Sequence, residues 1–309
     1  MVKKLFIKLI IFFALLFIFD QAIGFLLQKI YFKQNHGYYY RTTYALEEAT
    51  PQLLILGSSK ATHHYIPRKI TDSLHISCYN AGKDGSFILY HNAVLKSMVK
   101  RYTPRIVILD MLDDEFEQRA YKTYDRLGLL LPYYKTHPEI RPIAELKSPY
   151  EKYKVVSAMY AYNSMILPSI TGTLDFNNKQ ASDTNLGYLP LDEVWKGQMA
   201  IVNSEHQPLD SNKINAFKDI IALSKMKKFT LIVVVSPTYK KYQGNNPTIT
   251  LAKEFTDKAN VPLWNYLEDT SFLNRRDYFT DIRHMNENGA EFFNTILIKR
   301  IKAEKLLQQ

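Results

Sequence analysis

Hydrophobic residues along the chain fall into short continuous runs and into longer segments with helical spacing. Continuous runs predict buried strands, and they occupy residues 52–56, 76–79, 105–109, 229–235 and 261–265. Apolar residues at helical spacing predict helices over residues 87–102, 214–227, 252–259 and 286–307. Because strands that are apolar throughout alternate with helices, we predict an α/β fold whose parallel sheet is covered on both faces.

Residues 115–205 interrupt this alternation. They are rich in Tyr, Pro and Asn, and the spacing predicts one helix, around residues 150–166. We interpret them as an insertion into an α/β domain that extends over residues 51–309. The insertion is either a lid over the rim of the sheet or a small helical subdomain without a function of its own.

The N-terminal residues 1–27 form a basic start followed by an apolar stretch, Leu5–Leu27, interrupted by Lys8, Asp20 and Gln21. About 20 apolar residues cross a bilayer core, and basic residues beside a span stay in the cytoplasm. We therefore predict a single-pass anchor in the cytoplasmic membrane, with the domain on the periplasmic or cell-surface side. A cleaved signal peptide and a buried core helix are the alternatives. Residues 28–50 are interpreted as a juxtamembrane stalk.

Composition narrows the possible partners. The net charge is +10, but six basic residues and one acidic residue lie in residues 1–41, and the other Lys and Arg are scattered. Nucleic-acid binding needs clustered basic residues, so no nucleic-acid partner is predicted. A single cysteine, Cys78, excludes an intramolecular disulfide and a zinc site made of several cysteines. The neighbouring His63 and His64 have no further ligand at a suitable spacing, so we predict neither a metal nor a cofactor.

Three polar segments follow predicted strands or begin the last helix, at the sheet edge where ligands bind in such folds. Gly57-Ser58-Ser59-Lys60 presents serine as a nucleophile, although serine is also a common helix cap. Residues 80–86 contain two glycines whose backbone N–H groups could face an oxyanion; an ordinary strand-to-helix loop and a phosphate-binding loop are the alternatives. Asp281 and His284 are spaced so that the carboxylate can orient a general base; alternatively they are a helix cap and a surface histidine.

Taken together, in the order Ser…Asp…His, these segments resemble the SGNH (GDSL-like) hydrolase superfamily. The resemblance covers about residues 51–300 without the insertion, and Gly-Ser-Ser is similar to membrane-anchored members that modify cell-envelope polymers. It implies a flavodoxin-like three-layer sandwich with Ser59 as nucleophile, His284 as base and Asp281 as its orienting partner. The N–H groups of Ser59 and Gly85 would form the oxyanion hole. The residues leave open whether Ser58 or Ser59 attacks.

The chain departs from that family after the predicted strand at 105–109. The family has Gly-x-Asn-Asp there, whereas this chain continues Asp110-Met111-Leu112-Asp113. The asparagine that donates to the oxyanion is missing, and an ionised acid cannot replace it. Asn80 is the candidate replacement. Lys60, Asp110 and Asp113 are candidate substrate-binding residues, with a solvated surface as the alternative for each.

The resemblance implies a serine esterase or O-acyltransferase that acts through an acyl-Ser59 intermediate. The expected substrate is an acylated, and specifically acetylated, polysaccharide or glycan of the cell envelope, and envelope biosynthesis proteins are possible partners. A catalytically inactive glycan-binding or scaffold protein is the first alternative, motivated by the missing asparagine. A lipase-like enzyme with an apolar lid, for which Leu127–Leu131 would serve, is the second.

Overall fold

The computed structural model describes residues 2–118, 124–166, 185–202 and 207–307. The strands are β1 (Leu53–Gly57), β2 (Cys78–Asn80), β3 (Ile106–Asp110), β4 (Ala200–Val202), β5 (Thr230–Val235), β6 (Lys240–Tyr242) and β7 (Leu263–Asn265). The α-helices in these ranges are α1 (Val2–Phe32), α2 (Gly37–Thr43), α3 (Ser59–His64), α4 (Pro67–Leu74), α5 (Ile88–Arg101), α6 (Arg141–Ala144), α7 (Glu151–Lys154), α8 (Ser211–Lys227), α9 (Pro247–Ala259), α10 (Thr270–Leu273) and α11 (Glu287–Ala303).

Five strands form one parallel sheet in the order β2-β1-β3-β5-β7. The five predicted strands all lie in this sheet, so the prediction of an α/β fold with a parallel sheet is confirmed. Numbered within the sheet, the order 2-1-3-4-5 is that of flavodoxin-like doubly wound sheets. In such a sheet the crevice for a ligand opens at the carboxyl ends of the two strands where the order reverses, which here are β1 and β3.

Both faces of the sheet are buried, which explains why its strands are apolar at every position. Leu54 and Leu56 of β1 face a core that includes residues of α5 and α8, whereas Leu53 and Ile55 face a core formed with α4 and α11. Successive side chains of a strand point to opposite faces, so a strand covered on both sides needs an unbroken apolar run. The sheet and the helices on each of its two faces therefore form three layers.

Helix α1 is long and apolar enough to span a membrane by length and composition. Most of its residues are exposed, but its last third packs on the domain. A side chain at Gly24 would collide with Ala158, and Tyr31 is buried beside Tyr133 and Tyr162. The apolar helix is therefore also a structural part of the domain.

Residues 28–50 do not form the predicted stalk. Helix α2 and the π-helical turn Tyr44–Glu48 pack on the domain, and Ala45, Leu46 and Ala49 belong to its main core. The buried guanidinium of Arg41 donates to the carbonyls of Gly82 and Gly187. The stalk prediction is wrong because the segment packs on apolar surface of the domain and donates to carbonyl groups that are distant in sequence. The residues of the segment alone do not indicate these partners.

The insertion also differs from its prediction. Instead of one helix around 150–166, it contains the single turn α7 and a 3₁₀-helix, Tyr160–Met165. Leu127–Leu131 lies in another 3₁₀-helix, Asp125–Tyr133, and its leucines are buried in the main core. These leucines cannot act as an exposed apolar lid. Residues 119–123, 167–184 and 203–205 of the predicted insertion lie outside the described residues.

Candidate active site

The turn after β1 presents Ser59 at the carboxyl edge of the sheet. Gly57 has φ +151°, and a Cβ there would lie 2.7 Å from the carbonyl oxygen of Asp110. Only glycine therefore allows the chain to turn this closely beside β3. Ser58 occupies the N-cap position and Ser59 begins α3, so the N–H of Ser59 is one of the first-turn groups that lack a partner inside the helix.

The structure brings Ser59, His284 and Asp281 into one chain of hydrogen bonds. Ser59 Oγ lies 2.7 Å from His284 Nε2, and His284 Nδ1 lies 2.8 Å from Asp281 Oδ2. The other carboxylate oxygen, Oδ1, accepts from the backbone N–H groups of Arg283 and His284. With Nδ1 donating to the carboxylate, Nε2 is left to accept the hydroxyl proton, which is the arrangement of a base-activated nucleophile.

The carboxylate of Asp281 is kept ionised by its surroundings. Partial burial acts to raise its pKa, but the hydrogen bonds from the His284 ring and from two backbone N–H groups outweigh burial and hold the pKa at about 2. Hydrogen bonds made to the charged form favour that form. Asp281 can therefore fix the His284 tautomer and stabilise an imidazolium ion at neutral pH.

This shift predicts a pH-dependent contribution to stability. Because the pKa of Asp281 is lower in the folded state, its stabilisation is fully present above the unfolded pKa of 3.8 and is lost as pH falls toward 2. We expect the stability difference between the native chain and Asp281→Asn to be constant above about pH 5 and to shrink below pH 4. Urea unfolding at several pH values measures this difference, and a difference that grows on acidification would contradict the prediction.

A cavity of about 120 Å³ opens beside Ser59 Oγ and His284. Its lining residues are Ser58, Ser59, Lys60, Gly85, Phe87, Leu112, Asp113, Thr238, Arg283 and His284. Gly85 has φ +69°, a conformation that glycine adopts easily. The cavity thus joins the ends of β1 and β3 with the segments at 82–87 and 281–284.

Two of the three predicted substrate-binding residues line this cavity, and both already have partners. Lys60 is buried, and its Nζ donates to the carbonyl of Ser236 at 3.1 Å. Asp113 forms a buried ion pair with Lys240, Oδ2 to Nζ 2.8 Å, and also accepts from the Tyr242 hydroxyl. Burial acts to raise the pKa of Asp113, but the Lys240 cation and hydrogen bond lower it overall. The solvated-surface alternative is wrong for Lys60 and Asp113, because both side chains are buried.

Asn80 and Asp110 do not have the predicted roles. Asn80 is fully buried, and its amide donates to the carbonyls of Ala61 and Tyr65, which leaves no N–H for an oxyanion. Asp110 lies beneath the cavity, not in its lining, and one of its oxygens accepts from the Tyr65 hydroxyl and the Ser236 N–H. Burial raises its pKa. Both side chains are buried and neither lines the cavity.

Thr238 is a residue that the sequence analysis missed. It lines the cavity and is buried, and within the described ranges its hydroxyl has no hydrogen-bond partner. It lies three residues after the end of β5, at the same carboxyl edge as Ser59. That position is the signal that could have found it. Arg283, beside the base, also lines the cavity and was not predicted as a site residue.

His64 is hydrogen-bonded to the backbone of the residue that follows His284. Its Nε2 accepts from the N–H of Met285 at 2.9 Å, and its Nδ1 lies 3.0 Å from the Ser236 hydroxyl. Burial, with the nearby Lys60 charge, lowers its pKa well below the usual value, so the ring is neutral. His64 thus fixes the residue that follows His284. In the part of the chain that the structure describes, no group of three His, Cys, Asp or Glu residues could hold a metal.

No model of a known protein family matches this chain, and a search of curated proteins finds no significant match.

Proposed function

We propose that the protein is a membrane-anchored serine esterase or O-acyltransferase with an SGNH-type fold, acting on acyl esters of cell-envelope polysaccharide. The observation that carries this proposal is the hydrogen-bonded series from Ser59 Oγ through His284 to Asp281. Its placement supports the proposal, because the series lies where the strand order reverses and beside a cavity.

The proposed reaction has two acyl-transfer steps. Ser59 Oγ attacks the ester carbonyl carbon while its proton moves to His284 Nε2, and the carbonyl oxygen becomes an oxyanion. When the oxyanion collapses, the ester C–O bond breaks, and the leaving alkoxide takes the proton from His284. Water or a sugar hydroxyl then attacks the carbonyl carbon of acyl-Ser59 while its proton moves to His284 Nε2. The bond between this carbon and Ser59 Oγ breaks, and His284 returns the proton to Oγ, which regenerates the serine.

The oxyanion needs donors in place of the family's asparagine. The N–H groups of Ser59 and Gly85 are the backbone candidates. Thr238 supplies a hydroxyl without another partner among the described residues, and Lys60 supplies a positive charge at the same cavity. Losing one oxyanion donor typically lowers the rate about 10²–10³-fold. Thr238 and Lys60 are therefore proposed to compensate for the missing asparagine.

The size of the cavity supports a short acyl group. About 120 Å³ is well below the ~300–1,000 Å³ of pockets that enclose drug-sized ligands. An acetyl group fits this volume, whereas a fatty acyl chain exceeds it and would have to extend beyond the cavity. The choice of a polysaccharide as the carrier of the ester rests on analogy with the family.

A retained anchor is proposed over a cleaved signal peptide. Cleavage near Ala22–Gly24 would cut α1 inside the part that packs on the domain, next to the Gly24–Ala158 contact. It would also separate the buried Tyr31 from the rest of its helix. The basic residues at the start of α1 support the proposal that the domain lies outside the cytoplasm.

Ester chain length provides the test. The full chain in detergent is expected to hydrolyse p-nitrophenyl acetate and to show at least about 10²-fold lower kcat/KM for the palmitate ester, because only the short acyl group fits beside Ser59. The Ser59→Ala variant measures the background for each ester. Equal turnover of both esters would favour the lipase-like alternative and contradict the acetyl assignment.

The inactive glycan-binding alternative retains one supporting observation. No side-chain amide is among the residues that line the cavity in the described part of the chain. A folded protein that turns over no ester, but binds acetylated glycan equally well with and without Ser59→Ala, would overturn the enzyme proposal and establish this alternative.

A further inference from the structure

One loop of the insertion packs directly against the apolar helix. Asp20 of α1 accepts hydrogen bonds from the Ser157 hydroxyl at 2.5 Å and from the Ala158 N–H at 2.8 Å. Gln21 donates to the carbonyl of Val156. Ionisable groups within membrane spans normally face protein and pair there. The two polar interruptions late in α1 are thus satisfied by this loop.

The contact lies within the apolar part of α1, not beyond its end. Leu26 is 57% exposed after the Asp20 contact, and Phe25, also 57% exposed, borders a second cavity between α1 and the insertion. From Leu5 to Leu26 the helix extends about 33 Å at 1.5 Å per residue, which matches a hydrocarbon core of ~30 Å. Any segment beside residues 13–20 is therefore at membrane depth if α1 crosses the bilayer.

A groove of about 730 Å³ separates α1 from the loop at this level. Its lining is mostly apolar and consists of Phe13, Leu16, Phe17, Phe19, Asp20, Tyr153, Lys154, Val156, Ser157 and Met159. The apolar surface of the loop is continuous through this groove with the exposed apolar surface of α1. Because the two apolar surfaces are continuous, the lipid that would surround the helix would also fill this groove.

We infer that residues 150–159 form a second membrane contact, immersed in the outer leaflet with a lipid acyl chain in the groove beside α1. This inference rests on the proposed membrane span. Tyr150, Tyr153 and Val156 are 66%, 64% and 59% exposed, so the loop presents large aromatic and aliphatic side chains to its surroundings. The Lys152 ammonium lies 4.9 Å from the centre of the Tyr153 ring, from where it can reach the headgroups.

The loop's one acidic group is neutralised internally. The Glu151 side chain is fully buried and accepts from Ser148, from the Tyr160 hydroxyl, and from the ammonium groups of Lys147 and Lys154. An unpaired carboxylate would oppose immersion. With these partners, the loop presents mainly aromatic, aliphatic and basic side chains to its surroundings.

Site-specific fluorescence tests the inference in the full chain. Tyr153→Cys and Val156→Cys are labelled with an environment-sensitive maleimide dye in phosphatidylcholine–phosphatidylglycerol nanodiscs, and quenching by spin-labelled lipid and by iodide is compared. Phe12→Cys reports on α1, and Lys299→Cys reports on an exposed position of α11, which packs on the opposite face of the sheet. Cys78 is buried, which raises the pKa of its thiol and makes the native chain an unlabelled control.

The expected result is lipid quenching at 153 and 156 comparable with that at 12, with a blue-shifted emission, and iodide quenching only at 299. If the dyes at positions 153 and 156 behave like the dye at position 299 while the dye at position 12 is quenched by lipid, the loop lies in water. The inference then fails, but the proposed membrane span of α1 is supported. If 12 also behaves like 299, the proposed span fails and the inference falls with it. Shielding of 153 and 156 from both quenchers would indicate a protein partner, such as a second copy, and would also overturn it.

Discussion

Replacing Ser59 with alanine is expected to abolish covalent labelling of the full chain by a fluorophosphonate and to lower ester turnover by about 10⁴–10⁶-fold. The reagent captures a serine only when a base activates it, and Ser59 Oγ is 2.7 Å from the base nitrogen of His284. Mass mapping of the adduct should place it on Ser59. His284→Ala is expected to remove the adduct as well, because the Ser59 proton then has no acceptor.

Ser58→Ala is the matched control for this experiment. Ser58 is buried beside Ser59, caps α3 without a side-chain hydrogen bond to it, and also lines the cavity. We expect the Ser58→Ala variant to be labelled at a rate close to that of the native chain. An adduct on Ser58, or its loss only in Ser58→Ala, would contradict the assignment of Ser59. Absence of any adduct in a folded native chain would contradict the activated serine altogether.

His64→Leu is expected to lower kcat by about 10²-fold through displacement of the base. Leucine fills similar space but cannot accept the hydrogen bond from the Met285 N–H, which is made at 2.9 Å in a buried place. An unsatisfied buried N–H costs about 1–3 kcal/mol, so the segment that carries His284 should shift and the protein should be less stable. Steady-state kinetics and thermal unfolding measure the two effects.

His64→Gln separates positioning from general destabilisation. The glutamine oxygen can accept from the Met285 N–H, so this variant should recover much of the lost kcat. KM should change little in both variants, because His64 does not line the cavity. Equal kinetic losses in both variants, or a loss confined to stability, would show that His64 acts only as a packing residue.

The strands of the sheet could be predicted because their burial on both faces appears in the sequence as short, continuous apolar segments. A parallel strand buried on both faces must be apolar throughout, so β1, β3 and β5 appear as continuous runs in the sequence. The lengths of such runs placed strand ends within a few residues. The position of the polar segments after β1 and at 281–284 then predicted which side chains the carboxyl edge would bring together. The SGNH assignment itself stays a prediction.

The roles that were predicted wrongly depend on distant partners. Asn80 has the right side chain and lies on the right loop for an oxyanion donor, but its amide is used by carbonyls of α3 and the residue after it. Arg41 is held by carbonyls 41 and 146 residues away in sequence. Neither set of partners can be read from local spacing. The hydroxyl of Thr238 was overlooked for a different reason, since threonine carries no motif of its own.

The docking of α1 also constrains the order in which the protein can fold. Tyr31 meets Tyr133, which follows it by 102 residues, and Ser59 meets His284, which follows it by 225 residues. During synthesis from the N-terminus, α1 is made first, but its packing site on the insertion emerges much later. With the membrane topology proposed above, the growing chain would therefore remain at the membrane with an incomplete core until those residues are made. In the proposed enzyme, a ribosome that stalls before residue 284 would leave an anchored chain without its base, so the proposed ester-cleaving activity would appear only when synthesis is almost finished.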